Sequence, residues 1–364
     1  MTLVMRKFGK PRIATRQLVG IGGNPVAYRF TPVVQNPRLV IDVRPANDAL
    51  TRSYWDSEYG EWVRDAVNFW QQCVTGLRYT SSTAACRINF AVKNSLQNNV
   101  LGIAGPGNGS MFTGMVNIAG INNALGSLRL HDGRFATVSD ASMHFSAAHY
   151  KLSPANQAER DRKNAFFVTC VHEIWHCLGG GMWNGDYRIV ADMGILGRYK
   201  LPSFPTALTP AFPHNNVVDG NPRTARYVGG SGSGNNYRRH ALDAWRRTMV
   251  GRHNDASITI ENFGMGTNTT MANAGTTAGG HWKQAYHVTT NSWQTSSWTH
   301  APTGVVDRQG NDMRDEIGTG WSSATRWRHN WVGEFSLGAL QDIGYSVNYL
   351  PLSIPLHEYR TDIK

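Results

Sequence analysis

The sequence predicts an α+β fold of two subdomains, and three observations lead to that prediction. Residues 34–179 alternate strand-like and helix-like segments and end with a helix that carries two histidines. Residues 179–235 and 262–325 are rich in Gly, Asn, Thr, Ser and Pro, with few long periodic runs. The chain has 364 residues, 41% of them hydrophobic, which is enough to bury a substantial core. We therefore expect an upper subdomain (34–179) with a twisted sheet and two helices, and a loop-rich lower subdomain (180–350) across a cleft. A basic arm (1–33) precedes them, and a tail (351–364) follows.

Strands are predicted in the upper subdomain wherever apolar residues alternate with polar ones. "RLVIDVR" (38–44) and "RINFAV" (87–92) show this alternation, which places one side of each strand against a core. "MVNIAGI" (115–121) and "FATVSDASMHF" (135–145) are further strand-like segments, and Gly and Asn residues separate such segments.

Helices are predicted where apolar residues recur three and four positions apart. Four segments fit a helix: 57–77, the segment that ends in "CVHEIWHC" (170–177), 236–250 and 336–343. A polar stretch, 151–164, leads into the second of them. Ser336 is the expected N-cap of the last helix, and Gly344 is expected to end it.

The chain is basic, with a formal net charge of +11. Its first 41 residues contain seven arginines or lysines and no acidic residue, and seven arginines lie between Arg223 and Arg252. Such charge suits an acidic or assembly partner for the arm 1–33, or it forms a solvated surface. No nucleic-acid-binding motif accompanies it, no apolar run reaches the roughly 18 residues of a membrane helix, and no signal peptide is visible.

The four cysteines do not have the pattern of a disulfide framework. Cys170 and Cys177 lie seven residues apart on one predicted helix, about 10 Å along its axis, which is too far for a disulfide. Cys73 and Cys86 could be bonded to each other, and the sequence leaves their state open.

The clearest chemical motif is "HEIWH". Residues four apart lie on one face of a helix, so His172 and His176 can direct imidazole nitrogens at one metal ion. Glu173 lies beside them, where it can accept a proton from water, as in the H-E-x-x-H helix of zinc peptidases. The other interpretation is a buried helix with two hydrogen-bonded histidines. The apolar run "FFVTCV" before the motif favours the metal site, as does Gly179, because a glycine lets the helix end so that a distant segment can supply a third ligand.

A catalytic zinc site usually has three protein ligands, so a further residue is needed. Met182 stands where many such motifs have a third histidine, but a thioether is a poor zinc ligand, and Asp186 is a distant oxygen donor. Spacing does not choose among the later histidines, which are His214, His240, His253, His281, His287, His300 and His329.

Several motifs of the chain resemble those of the leishmanolysin-like metalloproteases, a branch of the metzincin clan. "VHEIWHCLGGGMW" (171–183) is similar to the family's active-site helix. In that family the third histidine follows a long insertion, in a Gly-rich segment that ends in His-Trp. "GTTAGGHW" (275–282), after "ITIENFG" (258–264), matches this pattern, and the resemblance implies that His281 is the third ligand.

The same resemblance assigns two landmarks farther along the chain. "GNDMRDE" (310–316) matches the tight turn whose methionine lies under the metal, which implies that Met313 is the Met-turn residue. "ALQDIGYSVNY" (339–349) closely matches the pattern that ends the family's closing helix. The 31 residues between His281 and Met313 exceed what the family pattern predicts, and 288–304 looks inserted.

The resemblance implies a metzincin-like fold, with the active-site helix above the cleft and the third ligand and Met-turn below it. It also implies a zinc endopeptidase that holds Zn2+ with His172, His176 and His281. Glu173 would be the general base, and a polypeptide substrate would lie extended across the cleft. The family is secreted or surface-bound.

Two other interpretations stay open. The basic arm, together with the lack of a visible signal peptide or long propeptide before the first strand, suits an assembly component, such as part of a virus particle. Such a component would have the same fold, with or without protease activity. The third interpretation is a zinc-stabilised binding module without catalysis, in which Glu173 would have no role.

Overall fold

The computed structural model of the chain describes residues 38–77, 83–96, 100–106, 128–131, 135–181, 225–227, 240–250, 258–260, 281–282, 286–287, 292–293, 305–320, 324–342 and 344–363. The basic arm (1–33), the predicted strand 115–121 and most of the insertion 288–304 lie outside these ranges. The described part has a mixed α and β fold with a small mixed sheet, consistent with the α+β prediction. No helix in it is both long and apolar enough to cross a membrane.

The longest elements lie before residue 181, and those after it are short. The described strands are β1 (Leu39–Pro45), β2 (Val74–Leu77), β3 (Ala84–Lys93), β4 (Gly102–Pro106), β5 (Leu128–His131), β6 (Phe135–Val138), β7 (Asp140–Ser146), β8 (Ala225–Tyr227), β9 (Ile258–Ile260), β10 (Tyr286–His287), β11 (Ser292–Trp293) and β12 (Tyr345–Val347). The described helices are α1 (Ala49–Trp55), α2 (Glu58–Cys73), α3 (Gln157–Cys177), α4 (His240–Thr248) and α5 (Glu334–Asp342). Short 3₁₀ turns cover Met313–Asp315, Ala324–His329, Leu350–Ser353 and Leu356–Tyr359.

A four-stranded sheet lies within residues 39–146, with the strand order β1-β3-β7-β4. β1, β3 and β7 run parallel, and β4 pairs antiparallel with β7 at one edge. The helices α1 and α2 lie between β1 and β3 in the chain, as parallel neighbours require a crossover connection. Ile88, Phe90 and Val92 of β3 are buried, in agreement with the alternation predicted for 87–92.

The helices α2 and α3 pack against each other and share one core with the sheet. The rings of Tyr59 in α2 and Phe166 in α3 meet edge-on, with their centroids 4.7 Å apart. Farther along, Trp70 Nε1 donates a hydrogen bond of 2.8 Å to the backbone carbonyl of Val171, which directly precedes His172. α2 therefore fixes the position of α3 at the point where the histidine motif begins.

The predicted helix over 57–77 is wrong at its C-terminal end. α2 ends at Cys73, and the next four residues form β2, which pairs antiparallel with β12. Val74 and Thr75 are β-branched and favour a strand once a partner is available. That partner is distant in sequence, since Thr75 and Ser346 are 271 positions apart, so a local hydrophobic pattern cannot reveal it.

The helix that carries the motif begins earlier than its apolar part suggests. α3 starts at Gln157, so the polar stretch 151–164 includes its first two turns. Asn156 is the N-cap, and its side-chain oxygen accepts the N–H of Glu159 at 2.9 Å. The polar first turns extend the apolar motif helix to 21 residues.

The last helix also differs from its prediction at one end. α5 begins at Glu334, so Ser336 is not the N-cap but lies inside the helix. Its buried hydroxyl donates to the carboxylate of Glu316 instead. Gly344 follows the end of α5 as predicted, with a φ of 117° that favours glycine. α4 lies within the predicted segment 236–250.

The four cysteines are buried thiols. Cys73 and Cys86, the pair that the sequence left open, are therefore not joined by a disulfide. Burial raises the pKa of the Cys73 thiol well above its ordinary value, which keeps it protonated near neutral pH.

Residues 350–363, most of which were predicted as a tail, pack onto α2 and α3. The guanidinium of Arg360 lies between two indole rings, 4.2 Å from the ring centroid of Trp62 and 4.8 Å from that of Trp327. It also donates to a backbone carbonyl of α3 at 3.0 Å and pairs with Asp362 at 2.6 Å. This segment therefore holds α2 and α3 together from outside the sheet.

We expect Arg360→Ala to lower the free energy of unfolding by roughly 2–4 kcal/mol, since it removes two cation–π contacts and buried charge-assisted hydrogen bonds. The control is Arg44→Ala. Arg44 also pairs with an aspartate two positions away, but its side chain is 65% exposed, so its replacement should leave the free energy of unfolding nearly unchanged. Denaturant unfolding followed by tryptophan fluorescence measures both. Equally small losses would show that Arg360 does not hold the segment in place.

Candidate metal centre

The helix α3 carries both motif histidines and ends just beyond them. The ring centroids of His172 and His176 are 4.6 Å apart, one helical turn along the same face. Gly179 then adopts a φ of 103°, in the left-handed region. Its N–H donates to the carbonyl of His176 at 2.9 Å, and the N–H of Gly180 donates to that of Trp175 at 2.8 Å. This Schellman motif ends the helix at the position where the sequence predicts that it ends.

Three imidazole nitrogens meet at one point. Nε2 of His281 lies 3.0 Å from Nε2 of His176 and 3.2 Å from Nε2 of His172, and the last two nitrogens are 3.1 Å apart. The rings of His172 and His281 are nearly parallel, at 6°, and the ring of His176 is nearly perpendicular to both, at 87°. His281 is 105 positions from His176, so the fold brings it there. We call these residues the three-histidine centre.

Hydrogen bonds at the far side of two rings determine which nitrogen carries the proton. Nδ1 of His172 donates to the carbonyl of Ile317, and Nδ1 of His176 donates to the carbonyl of Gly180 at 2.9 Å. A carbonyl only accepts, so in each neutral ring the hydrogen is on Nδ1 and the lone pair is on Nε2. Two lone pairs therefore face each other across 3.1 Å, which is unfavourable without a cation between them.

Burial keeps these rings neutral. Burial, with a smaller contribution from the neighbouring imidazole of His281, lowers the pKa of His172 to about 3. Burial also lowers the pKa of His176 well below its ordinary value, with smaller contributions from the other two rings. The hydrogen bonds to the carbonyls act in the opposite direction and are weaker. Metal ligation requires neutral histidine, so the environment favours the ligating form.

The three-histidine centre could hold a metal ion. Two nitrogens bound to zinc at the usual distance and at a tetrahedral angle lie roughly 3.3 Å apart. The observed separations of 3.0, 3.1 and 3.2 Å are close to that value. No other group of three or more His, Cys, Asp or Glu ligands is found in the described ranges. Of the other candidate ligands, Met182, Asp186, His214, His253 and His300 lie outside those ranges, and His240, His287 and His329 are not part of the group.

Glu173 is buried beside the centre, with 3% of its surface exposed. Burial raises the pKa of its carboxyl well above the ordinary value, so the carboxylate has an increased affinity for a proton. The edge strand β4 lies against it, since a Cβ added to Gly102 would be 2.5 Å from Glu173 Oε1. A glycine at 102 thus permits the close approach of strand and carboxylate.

Met313, the expected Met-turn residue, is 1% exposed and begins a 3₁₀ turn of three residues. The charged residues around it suggest an exposed loop, but Asp315 is also buried and pairs with Arg326 at 2.7 Å. The turn leads to Ile317, whose carbonyl accepts from His172. The segment after Met313 therefore contacts the motif helix α3 directly.

Three contributors to the centre were not identified from the sequence: Gly102, Gly180 and Ile317. Gly180 and Ile317 act through backbone carbonyls, and Gly102 acts through the absence of a side chain. Every residue has a backbone carbonyl, so the residue type does not reveal which carbonyl orients a histidine. The one available signal was a glycine at the start of a strand, which often marks a close approach.

Comparison of the chain with known protein families, with curated proteins and with solved structures found no match. What the centre does is therefore inferred from its geometry and from the motif resemblance. Neutral nitrogens that converge on one point, with a buried carboxylate beside them, can together bind a metal ion and transfer a proton.

We expect Gly102→Ala to lower the free energy of unfolding by roughly 1–3 kcal/mol, because the new methyl group would overlap the carboxylate of Glu173. Gly105→Ala is the matched control on the same strand. Nothing lies within 4 Å of a Cβ at Gly105, so that change should alter stability by less than about 0.5 kcal/mol. Denaturant unfolding of the purified variants measures the difference.

A double variant identifies the cause of the loss. In a Glu173→Ala background, Gly102→Ala should cost little, because the group that it overlaps is gone. A loss that persists in that background would mean that the strand backbone, and not the carboxylate, requires glycine at 102.

Proposed function

We propose that the chain is a zinc-dependent metalloendopeptidase of the metzincin type. The observation that carries the proposal is the convergence of three Nε2 atoms, 3.0–3.2 Å apart, beside a buried glutamate. A donor set of nitrogens favours zinc over calcium or magnesium, which prefer oxygen ligands. Three protein ligands with a fourth position left for water are typical of catalytic zinc sites, whereas structural sites are closed by four.

The order of the landmarks supports the metzincin assignment. The motif helix ends at Cys177, just before Gly179, and the third histidine follows after a long separation. The Met313 turn and α5 come next. This is the order of the leishmanolysin-like proteases that the motifs resemble. The Met313 turn and α5 also contact the motif helix. The carbonyl of Ile317, just after the turn, accepts a hydrogen bond from His172, and a backbone carbonyl of α5 accepts one from the indole of Trp175.

The residues of the chain would divide the chemistry between them. The three histidines would hold zinc, which lowers the pKa of water and polarises the scissile carbonyl. Glu173 would take a proton from water as the water oxygen bonds to the carbonyl carbon. It would then give that proton to the leaving amine as the C–N bond breaks. The raised pKa of Glu173 suits a group that must keep the proton between these steps.

The strand β4 is the element on which an extended polypeptide would bind. It pairs with β7 on one side and is the last strand of the sheet in the described ranges. Its first residue, Gly102, lies against Glu173. A peptide that added a strand along this edge would run past the carboxylate, which suits cleavage of an internal bond.

We expect the purified protein to contain about one zinc per chain, and His281→Ala to lose most of it. Two histidines alone leave the site one protein ligand short of the usual catalytic set. The control is His329→Ala, an exposed histidine outside the group, which should keep the metal. Elemental analysis of dialysed protein measures the content. Full zinc in His281→Ala would remove His281 from the ligand set.

We expect Glu173→Gln to keep both fold and zinc but to lose peptidase activity by roughly 10²–10⁴-fold, since an amide cannot accept the proton from water. Hydrolysis of casein, assayed beside the zinc content of the same sample, measures the effect. A zinc-stabilised module without catalysis would show no cleavage in the wild type either. Unchanged cleavage in Glu173→Gln would remove the glutamate from the mechanism.

A further inference from the structure

The backbone of residues 316–319 serves two parts of the three-histidine centre at once. The carbonyl of Ile317 accepts the hydrogen bond from Nδ1 of His172. The next carbonyl, that of Gly318, accepts the N–H of Trp282 at 2.9 Å. The segment 316–319 therefore orients one ligand directly and anchors the residue that follows the third ligand in the chain.

The side chain of Glu316 holds this segment in shape. Its carboxylate is fully buried, and Oε2 accepts the N–H of Gly318 at 2.6 Å. Oε1 accepts the N–H of Gly333 at 2.9 Å and the hydroxyl of Ser336 at 2.7 Å. These three bonds fold the segment back on the carboxylate and tie it to α5. Burial raises the pKa of Glu316 to about 7, and the three donors act in the opposite direction.

Ser336 connects this carboxylate to the tryptophans beside the other ligands. Its hydroxyl accepts the indole N–H of Trp282 at 2.7 Å, and its backbone carbonyl accepts the indole N–H of Trp175 at 3.2 Å. Trp282 follows His281 in the chain, and Trp175 precedes His176. One serine thus lies at the junction of the motif helix and the third-ligand segment.

Close packing leaves this network little freedom. A Cβ added to Gly318 would lie 2.6 Å from the ring of Trp282 and 2.9 Å from Oε2 of Glu316. Both tryptophans of the network, Trp175 and Trp282, are fully buried. A shift of the carboxylate is therefore transmitted to the ring, since no space is available to absorb it.

We propose that Glu316 and Ser336 are positioning residues that hold the three-histidine centre in its metal-binding geometry. Glu316 acts through the backbone that orients His172, and Ser336 acts through the indole of Trp282. Loss of an outer hydrogen-bond partner typically weakens metal binding by about 10–100-fold. The inference rests on the proposed function only in taking the bound group to be a metal ion; it does not require peptidase activity.

A merely structural role for these side chains predicts a different result. Both are fully buried, so removing either lowers stability whether or not it positions a ligand. Thr51 in α1 provides the control, because it is also fully buried. Its hydroxyl donates to Asp48 at 2.9 Å and accepts the N–H of Val92 at 3.0 Å. Thr51→Ala thus removes two hydrogen bonds of a side-chain hydroxyl, as Ser336→Ala does. The two bonds of Thr51 do not involve the three-histidine centre.

The test is the zinc affinity of metal-free protein, measured by competition with a chromogenic chelator at a temperature where circular dichroism shows each variant folded. We expect Ser336→Ala and Glu316→Gln to raise the Kd for zinc by about 10–100-fold. The NH2 group of the glutamine would face one of the N–H or O–H groups whose hydrogen bonds Glu316 now accepts, and two donors cannot bond to each other. Thr51→Ala should leave the Kd unchanged, although it lowers the free energy of unfolding by a comparable amount. An unchanged Kd in both site variants, or an equal rise in Thr51→Ala, would overturn the proposal.

A second measurement covers the case in which one variant does not fold. Trp282→Phe keeps an aromatic ring and removes the indole donor, so it should also raise the Kd. Trp282→Phe and Ser336→Ala delete the same hydrogen bond, so their effects on log Kd should be less than additive in the double variant. Additive effects would overturn the role of Ser336 in holding Trp282.

The outcomes separate this inference from the proposed function. A wild type that binds zinc but cleaves no peptide would refute the peptidase, while the affinities of the variants would still decide the positioning roles. A wild type that binds no zinc would overturn both.

Discussion

The centre depends on one electrostatic constraint: imidazole lone pairs that point at one another need a positive charge between them. The carbonyls of Ile317 and Gly180 hold the Nδ1 hydrogens of two rings, so neither ring can move its hydrogen to Nε2 without leaving an Nδ1 lone pair facing a carbonyl. Protonation at Nε2 would relieve the repulsion, but it would place a charge in a buried site. A metal cation would remove the repulsion without either cost, and this is why the three-histidine centre could hold a metal ion.

Meeting this constraint requires both halves of the chain. The motif helix α3 supplies two rings, while the third ring and the carbonyl that orients His172 come from beyond residue 280. Buried aromatic and polar contacts join these parts, from Trp70 beneath the start of the motif to Ser336 between the two tryptophans. The site therefore forms only when the motif helix and the segments beyond residue 280 are packed together.

Local sequence was sufficient where the structure depends on local geometry. The i, i+4 histidines, the glycine that ends α3 and the alternating strand β3 could all be predicted because each involves a few neighbouring residues. Spacing could not choose His281 from seven later histidines, since the path of the intervening chain decides it. A resemblance to known motifs supplied that choice. The overlong helix at 57–77 and the missed Gly102 share one cause, which is a partner distant in sequence.

The packing of the C-terminal segment has a consequence for the order in which the chain acquires its fold. Asp65 of α2 accepts the N–H of Thr361 at 3.0 Å and its hydroxyl at 3.1 Å, across 296 positions. At a synthesis rate of about 5–20 residues per second, Asp65 is synthesised roughly 15–60 s before Thr361. During this interval Arg360 is not yet available to cover the indole face of Trp62. The three-histidine centre includes His281 and the carbonyl of Ile317, which are also synthesised late, so it can form only towards the end of that interval.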